Sequence, residues 1–250
     1  TLEDAREYNI IGCVEPQKAG KTDGWHDAAF FNMCRPLELV FSNGMDKGEL
    51  VGIQTGDVTK MTTFEEFFDA YKKQMEYCIS LMVNADNAID VAHSERVPLP
   101  YESCMVDDCL SRGLSVQEGG AVYNFTGPQG FGIANMADSL YAIRKLVYED
   151  KKVSMEEYKQ ALAWNYDKGL DQQSVSDMSE MILKGMQDAG MAVNTDTAKA
   201  VLQTVMRLKP TEEQLRRFTE IHHMIDEVPK FGNAIDDVDY FARDVAYTYS

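Results

Sequence analysis

Apolar residues recur three or four positions apart over most of the chain, and this spacing predicts a largely helical protein. The first such stretch covers residues 26–41, where Pro36 should kink the helix. A capping box at 63–66 precedes a long apolar stripe, which predicts a helix that continues to about Ala92. Two prolines within 96–106 then interrupt the helical pattern.

The pattern between residues 113 and 135 is different, because this stretch contains six glycines and a proline. The β-prone residues at 122–125 predict a strand that leads into a glycine-rich loop. Asn135 is then expected to cap a helix over 136–149.

Shorter and more polar helices are predicted for the rest of the chain. A capping box at 154–157 indicates a helix to about Tyr166. Further helices are predicted at roughly 174–189, 195–207 and 211–226, and a final one after the Pro-Gly turn near 229. Together with the predicted strand, these elements indicate a helix-rich α/β fold.

The composition is that of an ordinary globular protein, with 250 residues of which 44% are hydrophobic and 26% charged. The net charge of −17 repels nucleic acids and anionic membranes, so we expect neither as a partner. No apolar run is long enough for a transmembrane helix, and no signal peptide opens the sequence. The chain begins with Thr1, and we interpret it as a segment of a longer protein.

Cysteine and histidine usage argues against a metal site or a disulfide framework. The five cysteines are odd in number and irregularly spaced, which favours a reducing, cytoplasmic compartment. Cys104 and Cys109 form one isolated pair, whereas a structural zinc site needs four ligands. His222 and His223 would project about 100° apart on a helix, so they cannot easily chelate one ion. The glycine-rich run matches neither the dinucleotide fingerprint nor a Walker loop, so we expect no nucleotide cofactor.

The candidate chemistry lies in the stretch IIGCVEPQKAGKTDGWHD, residues 10–27. Pro16 favours an extended conformation at Glu15, and residues two apart in an extended chain face the same way. Cys13 and Glu15 are therefore expected to point into one space. The carboxylate would raise the pKa of the thiol, which disfavours a thiolate nucleophile and favours hydrogen-atom chemistry with Glu15 as the base. An inert, buried cysteine is the alternative.

Asp27 is predicted at the junction between this loop and the helix over 26–41. At that position its carboxylate would either stabilise the start of the helix or hold a substrate hydroxyl. His26 is expected to be a packing or hydrogen-bonding neighbour.

Several blocks of this sequence, taken in order, resemble the glycyl radical enzyme family. They are GCVEP with GWHDAAFFN, LELVFSNGMDKG, TTFEEFFDAYKKQMEY, EGGAVYNFTGPQGFGIANMADSLYAIRKLV and PKFGN. Within the family, the Trp-His-Asp after the cysteine loop is most similar to the cobalamin-independent glycerol and propane-1,2-diol dehydratases. The resemblance implies a central fragment of a ten-stranded barrel. Residues 1–166 would be a partial barrel with the cysteine loop and the glycine-rich segment, 167–227 a helical insertion, and 228–250 the start of the returning barrel segment.

The resemblance also implies roles for the candidate residues. Cys13 matches the cysteine that carries a thiyl radical, Glu15 matches the catalytic base, and Asp27 matches a carboxylate that holds a substrate hydroxyl. No cofactor would be bound, but a glycyl radical outside this segment would be installed by a radical S-adenosylmethionine activating enzyme. The implied partners are that enzyme, a small diol substrate and a second copy of the parent chain. The cytoplasm, or a bacterial microcompartment within it, is the expected location.

The chain departs from the family pattern in two respects that affect its expected activity. The glycyl radical motif is absent, and so is the half of the barrel that supplies histidine contacts to the diol, so the segment alone is expected to be inactive. Within the family, choline trimethylamine-lyase and hydroxyproline dehydratase remain alternatives. Outside it, the alternatives are a non-catalytic helical interaction segment and a cysteine hydrolase.

Overall fold

Two units make up the computed structural model, which describes residues 1–12, 15–166, 172–207 and 210–249. Unit 1 consists of Thr1–Asn32 and Ile79–Phe131, and unit 2 consists of Met33–Cys78 and Gly132–Ser250. Side chains of 172–174 and 206–207 are not described. Residues 167–171, at the start of the predicted insertion, lie outside the described part, and the predicted division at 166 and 227 stays a prediction.

The regular elements are as follows. The α-helices of the described part, in chain order, are α1 Leu2–Arg6, α2 Cys34–Phe41, α3 Phe64–Arg96, α4 Pro100–Ser103, α5 Cys109–Arg112, α6 Ile133–Ile143, α7 Met155–Ala163, α8 Gln172–Asp188, α9 Thr195–Arg207, α10 Glu212–Glu227 and α11 Asp236–Ala246. The strands are β1 Tyr8–Ile11, β2 Glu15–Lys18, β3 Thr22–Asn32, β4 Met45–Asp46, β5 Glu49–Leu50 and β6 Tyr123–Phe131. Short 3₁₀ turns cover Val58–Lys60 and Val116–Glu118, and a π-helical segment covers Arg144–Glu149.

Unit 1 is built around two pairs of strands. β1 and β2 form an antiparallel hairpin in which Ile11 pairs with Glu15. β3 runs parallel to β6, although almost a hundred residues separate them in the sequence. Near the start of the unit, the carboxylate of Asp4 accepts hydrogen bonds from Lys21 Nζ at 2.8 Å and from Tyr123 Oη at 2.7 Å. These polar contacts join α1 to the turn before β3 and to the start of β6.

Unit 2 contains an apolar core formed by helices. One face of α6 is fully buried, and α6 packs against α11. The fully buried side chains at this core include Met33, Phe67, Tyr71, Met75, Met136, Leu140, Ile143 and Ile221. Their burial is the main source of favourable folding free energy in this unit, because it removes large apolar surfaces from water.

The predicted helix over 26–41 is wrong for its first half. Residues 26–32 belong to strand β3, and the helix begins only at Cys34. Apolar residues spaced three or four apart predict a helix here, but a short apolar run also fits a strand, and only a distant partner strand decides between them. That strand is β6, which supplies a parallel ladder along β3. Pro36 consequently lies in the first turn of α2, where a missing N–H costs little.

The predicted glycine-rich loop is also wrong, because β6 continues to Phe131. Pro128 lies between Gly127 and Gln129 at a break in the register, where it is not required to donate to the ladder. Asn135 does not cap the next helix, since α6 begins at Ile133 after Gly132 with a φ of 91°. The predicted helix over 136–149 ends as the π-helical segment.

Most of the other helix predictions are confirmed. The capping box at 63–66 is present, with Thr63 Oγ1 accepting from Glu66 N at 3.2 Å, and α3 continues to Arg96. The box at 154–157 opens α7, and α8, α9 and α10 lie within a few residues of their predicted positions. Among the described helices, none combines the length and apolar character that crossing a bilayer requires.

Candidate functional site

Cys13, the first predicted site residue, lies outside the described residues together with Val14. The positions on either side of them are described. Gly12 has a φ of +61°, in the left-handed region that glycine adopts without steric cost. Glu15 begins β2 and pairs with Ile11 across the hairpin. The role of Cys13 therefore stays a prediction, whereas the positions of Gly12 and Glu15 on either side of it are known.

Glu15 is buried, and its carboxylate lies close to Gly12. A Cβ atom placed on Gly12 would lie 2.5 Å from Glu15 Oε2, closer than real Cβ contacts allow. Gly12 therefore has a backbone conformation that favours glycine, and it leaves free the space that the Glu15 carboxylate occupies. This arrangement places a buried carboxylate within two residues of the candidate thiol.

Asp27 does not lie at the start of a helix, and the predicted N-cap role is wrong. It lies in an irregularity of β3 between His26 and Phe30, where three residues of β3 face the single Pro128 of β6. Its φ is +58° and its side chain is exposed. A bulge of this kind re-aims a side chain relative to the regular strand. The structure thus presents Asp27 as an exposed carboxylate on a strand bulge.

Gln129, which no sequence pattern marks as a candidate, connects the two carboxylates. Its Nε2 donates to Glu15 Oε1 at 3.4 Å and also to Asp27 Oδ1. Glu15 and Asp27 are twelve positions apart in the sequence, and Gln129 is more than a hundred positions from either. The sequence feature that could have indicated Gln129 is a polar side chain within the glycine-rich GPQG run. This feature does not identify its partners, because they are brought close only by the pairing of β3 with β6.

His26 packs beside this site, as expected. Its ring centroid lies 5.5 Å from that of Phe125, and Gly127 faces it across the ladder. A Cβ atom on Gly24 would lie 2.4 Å from His26 Nε2, so the imidazole occupies space that Gly24 leaves open. Nε2 is buried and has no hydrogen-bond partner among the described residues.

A large cavity lies elsewhere in unit 1. It has a volume of about 710 Å³, and it is lined by acidic, polar and aromatic residues that include Asp23, Trp25, Asp90, His93 and Glu102. Burial, followed by the charges of Glu102 and Asp90, raises the pKa of the Asp23 carboxyl. Glu15, Asp27 and Gln129 do not line it, so the candidate site and this cavity are separate features.

Alternative chemistry at the other cysteines is disfavoured. Cys34, Cys78, Cys104 and Cys109 are free thiols. Burial raises the pKa of Cys34, Cys78 and Cys109, so these thiols resist forming the nucleophilic thiolate. In the part of the chain that the structure describes, no group of three or more His, Cys, Asp or Glu residues is arranged to hold a metal ion.

Comparison with solved structures identifies close similarity over the whole chain. A structure from a study of 1,2-propanediol dehydration in Roseburia inulinivorans is 60% identical, with a TM-score of 0.95, and covers 100% of this chain and 30% of that one. The glycerol-bound form of the B12-independent glycerol dehydratase from Clostridium butyricum is 42% identical, with a TM-score of 0.76, and covers 100% of this chain and 25% of that one. The predicted fold class, a helix-rich α/β fragment of a glycyl radical enzyme barrel, is confirmed.

Sequence comparison with curated proteins agrees with this structural similarity. The (2S)-3-sulfopropanediol dehydratase of Klebsiella oxytoca is 42% identical over 168 residues, which is 66% of this chain and 20% of that protein. The chain thus spans between a fifth and a third of the length of these relatives. The pyruvate formate lyase-like family model matches residues 1–250. The chain therefore belongs to the pyruvate formate lyase-like family.

Proposed function

We propose that the full-length protein is a glycyl radical diol dehydratase, which converts propane-1,2-diol or glycerol to an aldehyde and water. The observation that carries this proposal is the meeting of Glu15 and Asp27 at one amide, directly beside the position of Cys13 in the sequence. The similarity to proteins of 1,2-propanediol and glycerol dehydration supports the choice of substrate class.

Each of the three candidate residues, Cys13, Glu15 and Asp27, would perform a defined step. A glycyl radical elsewhere in the parent protein, installed by a radical S-adenosylmethionine activating enzyme, would supply the oxidation of the Cys13 thiol to a thiyl. Cys13 takes a hydrogen atom from C1 of the diol, and Glu15 removes the proton of the C1 hydroxyl. Asp27 holds a substrate hydroxyl and orients the diol. The ketyl radical expels the C2 hydroxyl, which takes up a proton and leaves as water, and this returns the proton that Glu15 removed.

The last step regenerates the thiyl. The product radical takes a hydrogen atom back from Cys13 and leaves as the aldehyde, so the sum of the steps is diol to aldehyde plus water. The exclusion of solvent protects the radical intermediates, and the burial of Glu15 suits that requirement. Anaerobic conditions, a homodimeric parent, and a cytoplasmic or microcompartment location belong to the same proposal.

The test uses the full-length parent, produced anaerobically with its activating enzyme and offered propane-1,2-diol, glycerol and choline. We expect aldehyde from a diol and no trimethylamine. Cys13→Ser and Glu15→Gln should each abolish turnover while the glycyl radical signal in electron paramagnetic resonance stays intact. Cys104→Ser changes an exposed cysteine of the same unit and should leave turnover unchanged. Absence of diol turnover, or an active Cys13→Ser variant, would contradict the proposal.

A further inference from the structure

Gln129 stands between the two carboxylates to which the proposed function gives different tasks. Its side-chain nitrogen lies 3.4 Å from Glu15 Oε1 and also contacts Asp27 Oδ1. An amide nitrogen carries two hydrogens, whereas an ionised carboxylate can only accept. One glutamine can therefore satisfy one oxygen of each carboxylate at the same time.

The charge state of the donor matters as much as its geometry. Two carboxylates at one point repel each other, so a donor between them is needed to hold them there. A lysine or arginine would do this, but its positive charge would make a neighbouring carboxylate a weaker base. The neutral amide of Gln129 fixes both groups by hydrogen bonds and adds no charge of its own.

The backbone around Gln129 gives it a fixed position. It pairs with Phe30 on β3, directly after the bulge that carries Asp27, and His26 pairs with Gly127 before the bulge. The ladder is thus formed on both sides of the irregular segment. A site supported by paired strands is held more accurately than one on a free loop.

We propose that Gln129 is a positioning residue, which sets the relation between the base Glu15 and the hydroxyl-binding carboxylate Asp27. This inference rests on the proposed function for the tasks of the two carboxylates. The contacts of Gln129 with both carboxylates do not depend on that function. Gln129 acts through its two neighbours and needs no contact with the substrate.

The kinetic test uses Gln129→Glu and Gln129→Asn in the full-length activated parent. In Gln129→Glu the new group has the same shape but cannot donate when ionised. We expect kcat to fall about 10²-fold near neutral pH, as misplacement of reacting groups typically causes, and to recover in part as the pH falls and the new carboxyl gains a proton. Gln129→Asn is one methylene too short to reach both partners, so its loss of kcat should not change with pH.

The pH comparison has a matched control. Gln117→Glu adds the same charge to unit 1 in the 3₁₀ turn at Val116–Glu118 and should leave the pH profile of kcat unchanged. The titratable groups on β3, which pairs with β6, are Asp23, His26 and Asp27. Those on β2 are Glu15 and Lys18, and Asp4 of α1 contacts Tyr123 of β6. All of these groups are the same in every variant. A pH-independent loss in Gln129→Glu equal to that in Gln129→Asn would indicate a structural role only and overturn the inference.

A second measurement separates this inference from the proposed function. Crystal structures of the full-length parent and its Gln129→Ala variant should differ in the separation of the Glu15 and Asp27 carboxylates by about 1 Å or more. Unchanged carboxylate positions would overturn the positioning role, whatever substrate the protein uses. Displaced carboxylates in a protein that turns over no diol would leave the positioning role standing and refute the proposed function alone.

Discussion

Unit 1 and unit 2 obtain their order in different ways. Among the buried apolar residues of the described part, only Cys109, Val116 and Ala121 lie in unit 1, and all the others lie in unit 2. Unit 1 instead exposes large apolar side chains on its strands, including Ile10, Ile11, Phe30 and Phe131. Its order comes from strand pairing and from polar contacts such as those of Asp4. The candidate site lies in the unit that has the smaller apolar core.

This difference separates stability from chemistry within one chain. Truncation of a core side chain in unit 2 should lower the free energy of unfolding first, because it removes close-packed apolar contacts. A change beside Glu15, Asp27 and Gln129 in unit 1 should alter the geometry of these side chains first, and a change to the polar contacts of Asp4 should lower stability by a smaller amount than a change in the apolar core of unit 2. Three substitutions test this separation.

The largest effect on stability is expected from Leu140→Ala in unit 2. Leu140 is fully buried in α6, so its truncation should lower the free energy of unfolding by about 2–5 kcal/mol. Leu110→Ala is the matched control in unit 1, because Leu110 is 72% exposed and its truncation should change stability by less than about 0.5 kcal/mol. Chemical denaturation followed by circular dichroism measures both. Equal losses would break the distinction between the units.

Gly12→Ala should affect activity more than stability. The added methyl group would meet Glu15 Oε2 at 2.5 Å and displace the carboxylate, so turnover by the full-length parent should fall about 10-fold or more. Gly20→Ala provides the control, because Gly20 also has a positive φ, of 72°, but nothing lies within 4 Å of its added Cβ. Both variants carry similar backbone strain, so only the contact with Glu15 differs. Similar turnover in the two variants would refute the role given to Gly12.

The smallest effect, and the one most dependent on pH, is expected from Asp4→Asn. The hydrogen bond from Lys21, and then that from Tyr123, hold the pKa of the Asp4 carboxyl well below its usual range. A lowered folded-state pKa contributes stability above the ordinary aspartate pKa of about 4, and this contribution is lost as the pH falls further. Asp4→Asn should therefore destabilise unit 1 at pH 7. The difference in stability between this variant and the unchanged chain should become smaller below about pH 4.

The exposed Glu3 on the same helix serves as the control for this change. Glu3→Gln removes a carboxylate from the same helix and leaves the contacts of Asp4 with Lys21 and Tyr123 in place, and melting curves at a series of pH values measure both variants. A constant difference between Asp4→Asn and the unchanged chain across this pH range would contradict the assignment of Asp4.

Local signals predicted the helices well and the strands poorly. The capping boxes at 63–66 and 154–157 and the stripe of α3 are encoded within a few turns, so the sequence is enough to place them. The strands β3 and β6 depend on a partner about a hundred residues away, and no local pattern encodes that partner. For this reason residues 26–32 were predicted as helix and residues 126–131 as a loop.

The same limit applies to the candidate site. Glu15 could be chosen from its spacing to Cys13 and from Pro16, which are local features. The role of Asp27 stays a prediction, and the sequence places this residue on the wrong element, because its bulge exists only where β3 passes Pro128. Gln129 has no local feature that marks it, since its importance comes from two carboxylates on other strands.

The bulge that carries Asp27 also determines which changes in length β3 can accept. Between the paired positions His26 and Phe30 the chain advances four residues, while β6 advances two from Gly127 to Gln129. The two extra residues are taken up inside the bulge, where Asp27 has a φ of +58°, and the pairing of Phe30, Phe31 and Asn32 with β6 resumes after it. Insertion or deletion of one residue within the bulge would therefore leave β3 paired with β6 on both sides, but it would change the direction of the Asp27 side chain. The sheet accepts changes of length in this segment, whereas the carboxylate that the segment carries does not.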